Sequence, residues 1–222
     1  EHELTDAMKE SIESGRDITI GYVDGMGGVV TELRFTDEFI QSLADIALSK
    51  PNAVVSVNQA RMSIYLEGSS YDYNNIDPLK MADVMNNAMP RLGLYTRYGG
   101  IDAKGNNIIA ISDYAFSKEG SLALDYDGNI NRSLGCYTMD ISTHIQSLMM
   151  AAADNLMEDG KSVDFEKFNT NVNLLGYRRI YIAPAADQLF GFNRQAICGG
   201  EDQVIDATDA PITLDLTYTI VY

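Results

Sequence analysis

Tryptophan is absent from this chain, and histidine and cysteine occur only twice each. His2 and His144 offer no His-rich ligand set, and Cys136 and Cys198 stand isolated, without the short spacing that zinc centres need. Two cysteines so far apart, with no flanking ligands, read as buried thiols, although the pair could bridge. Basic residues are scarce too: Lys plus Arg number 16 against 32 Asp plus Glu, a formal charge of −16. A surface of that sign repels a phosphate backbone, so direct nucleic-acid binding is not expected. No apolar run approaches the ~18 residues of a spanning helix, and no basic amphipathic helix is available to lie on a membrane. The full Walker A signature is also missing, and nucleotide binding is not expected.

What is present is an ordinary globular composition, 45% hydrophobic and 22% charged over 222 residues. A chain of this length buries roughly 70% of the surface its unfolded form exposes, enough to hold a core without disulfide or metal. Residue 1 is Glu rather than Met. That is expected of a processed or trimmed chain, with removal of a secretion signal and maturation cleavage in a particle as two natural routes.

The apolar spacing predicts the elements. Leu4, Met8 and Ile12 at helical spacing, with Gly15 beyond them, predict a short N-terminal helix. Ile18, Ile20 and Tyr22 alternate with small or polar residues, and a second alternating run through Leu33 and Phe35 follows Gly25-Met26-Gly27-Gly28. Two strands joined by a glycine-rich loop predict a hairpin. Thr36 is placed as an N-cap ahead of Asp37 and Glu38, opening a helix whose inner face is Phe39, Leu43, Ile46 and Ala47. Residues 53–66 read as one long strand or two short ones, and Pro78 starts a helix facing inward through Leu79, Ala82, Met85 and Met89.

Between Leu94 and Met139 the glycine-punctuated text predicts a meander of hairpins. The longest helix signal runs from Ser142 to Glu158, with Ile145, Leu148, Met149, Ala152 and Leu156 on one face and Gly160 at its end. A polar stretch then leads to a strand from Tyr177 to Ala183. The chain closes on Ile212, Leu214, Leu216, Tyr218, Ile220 and Tyr222, in strict alternation with Thr213, Asp215, Thr217, Thr219 and Val221. That period of two predicts a strand with one face buried and the other wet or against a partner. The whole predicts a single α+β domain over residues 1–222, with a mainly antiparallel sheet and three or four packed helices.

Chemistry-bearing clusters are few. The glycine loop after Asp24 is followed by a strand rather than a helix that could hold a phosphate. Asp125-Tyr126-Asp127-Gly128-Asn129-Ile130-Asn131 begins like a calcium loop, but Ile130 replaces the required Gly and Cys136 the bidentate Glu; a turn through Asp127-Gly128 accounts for the same residues. Asp72, Asn74 and Asp77 form a second oxygen-rich loop of the same ambiguity. His144 has Cys136, Asp140 and Ser142 close by in sequence, yet a helix N-cap at Ser142 or Thr143 explains the group more simply than a nucleophile and base. Asn131-Arg132-Ser133 fits the N-glycosylation pattern. No catalytic, cofactor-binding or metal residue is therefore assigned, no cofactor is expected, and the chain reads as a non-enzyme.

The end of the chain, Leu214-Asp215-Leu216-Thr217-Tyr218-Thr219-Ile220-Val221-Tyr222, resembles the closing strand of tail-terminator proteins of tailed bacteriophages, through its Leu-Thr-Tyr-x-Ile-x-Tyr spacing. The resemblance implies a structural subunit in the tail, neck or capsid of a virion, packing against copies of itself and other particle subunits without catalysis. The order strand, glycine loop, strand, helix, strand over Ile18 to Arg61 also looks like the N-terminal half of curli-secretion lipoproteins. That second likeness implies an exported periplasmic or envelope assembly protein.

Overall fold

The computed structural model of the chain describes residues 6, 9–10, 20–25, 29–67, 82, 85–98, 108–114, 128–185, 193–199 and 211–221. Its elements begin with β1 (Ile20–Asp24), β2 (Thr31–Arg34), α1 (Asp37–Ala47) and β3 (Val54–Tyr65). Four short strands follow: β4 (Leu92–Tyr98), β5 (Ile108–Ala110), β6 (Ile130–Asn131) and β7 (Cys136–Asp140). Then come α2 (Ser142–Asp154), α3 (Phe165–Thr170), α4 (Val172–Arg178), β8 (Arg179–Pro184), β9 (Arg194–Cys198) and β10 (Thr213–Val221). The class is α+β, and every strand ladder is antiparallel, as expected.

The strands form ladders in the orders β10-β3-β7-β6, β2-β8-β4-β5 and β1-β9. Isolated bridges, Leu66 to Ile197 and Arg91 to Asn129, tie the ladders to one another. The expected hairpin of the first two strands is corrected: β1 pairs with β9 and β2 with β8. The link between β1 and β2 is a turn bond from Asp24 N–H to the Val29 carbonyl, 3.0 Å, and a bond from Thr31 Oγ1 to the Tyr22 carbonyl, 3.0 Å. Alternation had marked the strands correctly, but a ladder partner is a long-range choice. Of the expected meander the antiparallel pairs β4-β5 and β6-β7 form, but they lie in different ladders, since β4 also pairs with β8 and β7 with β3.

Helix α1 starts as its composition dictates, with Thr36 Oγ1 accepting from Phe39 N–H at 3.2 Å. Its fully buried stripe is Ile40, Leu43 and Ala44; Phe39, Ile46 and Ala47 only flank the core. Helix α2 packs on α1 and on β3, and buries Ile145, Leu148, Met149 and Ala152. It ends at Asp154, short of the expected Glu158, because Asn155 Nδ2 donates back to the Ala151 carbonyl at 2.9 Å. Leu156 then leaves the helix to bridge Val163 across a tight loop in which Gly160 takes φ +64°.

The polar stretch after that loop holds two helices where none was expected. Asp164 caps α3 by accepting from Lys167 N–H, and Asn171 caps α4 by accepting from Asn173 and Leu174 N–H. Tyr177 accordingly belongs to α4, and β8 begins two residues later than the sequence suggests. Asx residues compete for backbone donors in this way, and they open helices more often than their polarity suggests.

Strand β3 is a single strand with two different neighbours. Its last five residues pair with β7 and nine of its residues with β10. The register with β10 slips between Thr217 and Tyr218, where Gln59 and Val57 are the partners and Asn58 is left over as a bulge. On the side of β3 away from β10, α2 supplies the missing bonds. Gln146 Oε1 accepts from Val57 N–H at 2.7 Å, and its Nε2 donates to the Val55 carbonyl at 3.3 Å. Ser142 Oγ accepts from Ala60 N–H at 2.8 Å. One side-chain amide thus stands in for a residue of a neighbouring strand.

Strand β10 is ordered and paired, as its alternation predicts, but it is an edge strand. Leu214, Leu216 and Ile220 pack part-buried against the core, whereas Tyr218, expected inside, is 40% exposed. It sits where the bulge interrupts β3, opposite the part-buried Val57. The helices expected over Leu4 to Ser14 and after Pro78 fall largely outside the described residues, as do the Asp72 to Asp77 loop, Asp125 to Asp127 and His2. No helix among the described residues is long and apolar enough to cross a membrane.

Candidate functional site

The groups around His144 are tied into the start of α2 and the packing beside it. Asp113, following β5, is completely buried and aims its carboxylate at the start of α2, accepting from Thr143 N–H at 2.7 Å and His144 N–H at 2.9 Å. Neither Ser142 nor Thr143 caps the helix as expected; the N-cap position is Ile141, with no side-chain bond of its own. Ser142 is held by Asp140, whose Oδ1 accepts from both its N–H and its hydroxyl. Burial pushes the Asp113 carboxyl up, partly offset by the two backbone bonds. The His144 ring is 1% exposed, between Phe35 and Tyr177 at centroid distances of 6.1 Å each, with Nε2 3.0 Å from the Tyr177 carbonyl. Burial lowers its pKa to about 4, so the ring is neutral and donates to that carbonyl. Cys136 reaches only Thr138, 3.8 Å away. Nucleophile and base, suggested by sequence proximity, are not brought together.

Cys136 and Cys198 are both buried, on β7 and β9, and no disulfide joins them. Gly160-Lys161-Ser162 carries the last three letters of a phosphate-loop signature, with Asn155 where the first Gly would stand. Here the backbone donors already have an anion. Asp159 Oδ1 accepts from Lys161 and Ser162 N–H, each at 2.8 Å, and Oδ2 accepts from the Ser162 hydroxyl at 2.5 Å. These bonds hold the Asp159 carboxyl down to about 2, so it stays charged and fills the place a phosphate would take. Among the described residues no three His, Cys, Asp or Glu side chains converge on one point.

Among the described residues two surface features stand out. One is the outer edge of β10, with nine residues and no strand against it among the described residues. The other is a pocket of about 180 Å³ between α4 and the β4-β8 ladder, lined by Thr96, Arg97, Val172, Leu175, Gly176, Arg179 and Tyr181. Helical geometry explains part of one wall, since 172, 175 and 176 are spaced i, i+3, i+4 on α4, and Arg179 joins them as the first residue of β8. A bulge explains the other: β5 matches Ala110 to Tyr95 and Ile109 to Arg97, which leaves Thr96 extra and lets both Thr96 and Arg97 line the cavity. Beside it, Glu32 takes the Arg34 guanidinium at 3.0 Å and Arg179 Nε at 3.5 Å. Burial raises the Tyr181 phenol pKa, reinforced by the Glu32 carboxylate next to it.

No protein-family model, curated protein or solved structure matches this chain.

Proposed function

We propose that this chain is a non-enzymatic structural subunit of a multi-copy assembly, and that copies meet through the free edge of β10. The observation behind this reading is the character of that edge. The other outer strands are shorter: β1 and β9 have five residues each, β2 four, β5 three and β6 two. β10 has nine, with no Lys, Arg or Pro among them and Asp215 as the one charge. Long edges are normally blunted by such residues, because an unpaired row of backbone groups templates another chain. Beside it, Tyr218, Val221 and the facing Val54 leave apolar surface exposed at 40%, 59% and 68%.

The pattern of β10 is also self-complementary. An antiparallel meeting of two copies centred on Thr217 sets Leu214 against Ile220, Leu216 against Tyr218 and Asp215 against Thr219. No two carboxylates then face each other, which matters for subunits of charge −16. The virion tail or neck is the setting that the Leu-Thr-Tyr-x-Ile-x-Tyr resemblance implies for such a subunit. Sedimentation over a range of concentrations tests the reading. Association that disappears in Thr217→Lys, which sets like charges opposite each other at the axis, supports it; a wild-type protein that stays monomeric at every concentration refutes it.

A further inference from the structure

The pocket beside α4 is chemically out of keeping with the rest of the molecule. Acidic residues outnumber basic ones two to one, 32 against 16, yet two arginines and no carboxylate line this cavity. Arg97 is half-buried, and its side chain has no hydrogen bond or ion pair among the described residues. Arg179 shares its one carboxylate, Glu32, with Arg34, and its Nε is buried at 3.5 Å from Glu32 without a hydrogen bond. The β4-β8 register, with Tyr95 opposite Tyr181, brings Arg97 and Arg179 to the same end of the ladder. A half-buried guanidinium with no carboxylate of its own favours an anion, and its fork of N–H donors matches a carboxylate. The opposite wall is apolar, made by Val172 and Leu175. Size narrows the occupant further. About 180 Å³ is room enough for a short acid.

We infer that this pocket binds an aliphatic carboxylate, with the oxygens on Arg97 and Arg179 and the short chain against Val172 and Leu175. The acid comes either as a free small molecule or as a glutamate side chain of a second copy; the pocket chemistry is the same for both. The inference does not depend on the β10 edge.

Titration calorimetry of the full chain with butyrate, n-butanol and inorganic phosphate tests it. So few atoms support a Kd on the order of 1 mM for butyrate, weakened by added salt. Butanol, lacking the charge, should bind at least roughly tenfold more weakly, and phosphate, lacking the chain, should also be weaker. Arg97→Met should weaken butyrate by roughly tenfold or more. Gly176→Leu fills the cavity from the other wall and should abolish binding; a Cβ there meets only Thr96 Cβ at 3.8 Å, so the helix tolerates it. Thr217→Lys should leave butyrate binding unchanged. If butyrate and Arg97→Met each reduce self-association, the acid is the neighbour's side chain; if butyrate binds without changing sedimentation, it is a free acid. The inference is overturned if butyrate does not saturate, or if it binds both pocket variants as well as wild type.

Discussion

Asp113 and His144 are 31 positions apart in sequence, and the buried carboxylate of the first accepts the backbone N–H of the second at 2.9 Å. With its other oxygen on Thr143 N–H, it satisfies two of the donors that open α2, a task expected of a residue within the helix's own N-terminal turn. Removing it leaves two donors without that partner, His144 N–H buried and Thr143 N–H part-buried. Asp113→Ala should therefore cost about 2–4 kcal/mol, beyond an ordinary exposed cap, while Asp113→Asn should retain part of the loss. Chemical denaturation of both variants measures the difference. Equal, small losses would show that α2 does not need this carboxylate.

His144 links stability to pH. Its folded pKa, about 4, lies below the unfolded value of 6.5, so the unfolded chain binds the extra proton in between. The stability its neutral ring allows is complete above pH 6.5 and is lost as pH falls toward 4, by roughly 3 kcal/mol in all. Asp113, raised by burial, works in the opposite direction: its contribution is present at low pH and lost as pH rises through its folded pKa. Comparing urea midpoints of wild type and His144→Gln from pH 4 to 7 isolates the histidine. The variant should be less stable at neutral pH and lack the slope; an unchanged slope would assign the pH dependence elsewhere.

His144→Ala, harmless if the residue were merely a first-turn helix side chain, now has a definite expected cost. It empties a packed site between Phe35 and Tyr177 and orphans the Tyr177 carbonyl, for a loss of about 2–4 kcal/mol. Calorimetric melting should show the drop with the fold retained.

Gln146 offers a sharper test of side-chain amide standing in for strand. Gln146→Leu keeps the bulk but strands the Val57 N–H and Val55 carbonyl, costing about 2–3 kcal/mol. Hydrogen exchange should speed up at Val57 and not at the β7-paired end of β3. Uniform protection after the substitution would mean that water replaces the amide without loss.

For β10, the partial burial of Leu214, Leu216 and Ile220 sets the scale. Leu216→Ala should cost about 1–2 kcal/mol, less than a fully buried leucine, and Tyr218→Ala less than about 1 kcal/mol in the isolated chain. Deleting residues 212–222 exposes the length of β3 that β10 covers and should unfold or aggregate the protein, read as loss of the cooperative melt.

The parts legible in the sequence were those decided by near neighbours. Thr36 with Asp37 and Glu38 announced α1, and strict alternation announced β10, because caps and periodicity are written within a few residues. The short helices α3 and α4 were hidden for a local reason as well: Asp164 and Asn171 read as loop polarity until their caps were seen.

What only the tertiary structure decided were partners drawn from distant segments. Alternation places a residue on a face but does not name the strand beside it, so β1 could be recognised while its pairing with β9 could not. The same reason hid the pocket, whose Arg97 and Arg179 lie on separate strands and face one cavity through a bulge at Thr96. The sequence by itself determined composition, charge, α+β class and the closing strand, since each depends on residue identity and short spacing. Pairing, the Asp113 cap and the arginine pocket depend on loop closure across tens of residues, whose outcome is settled only when the whole core packs.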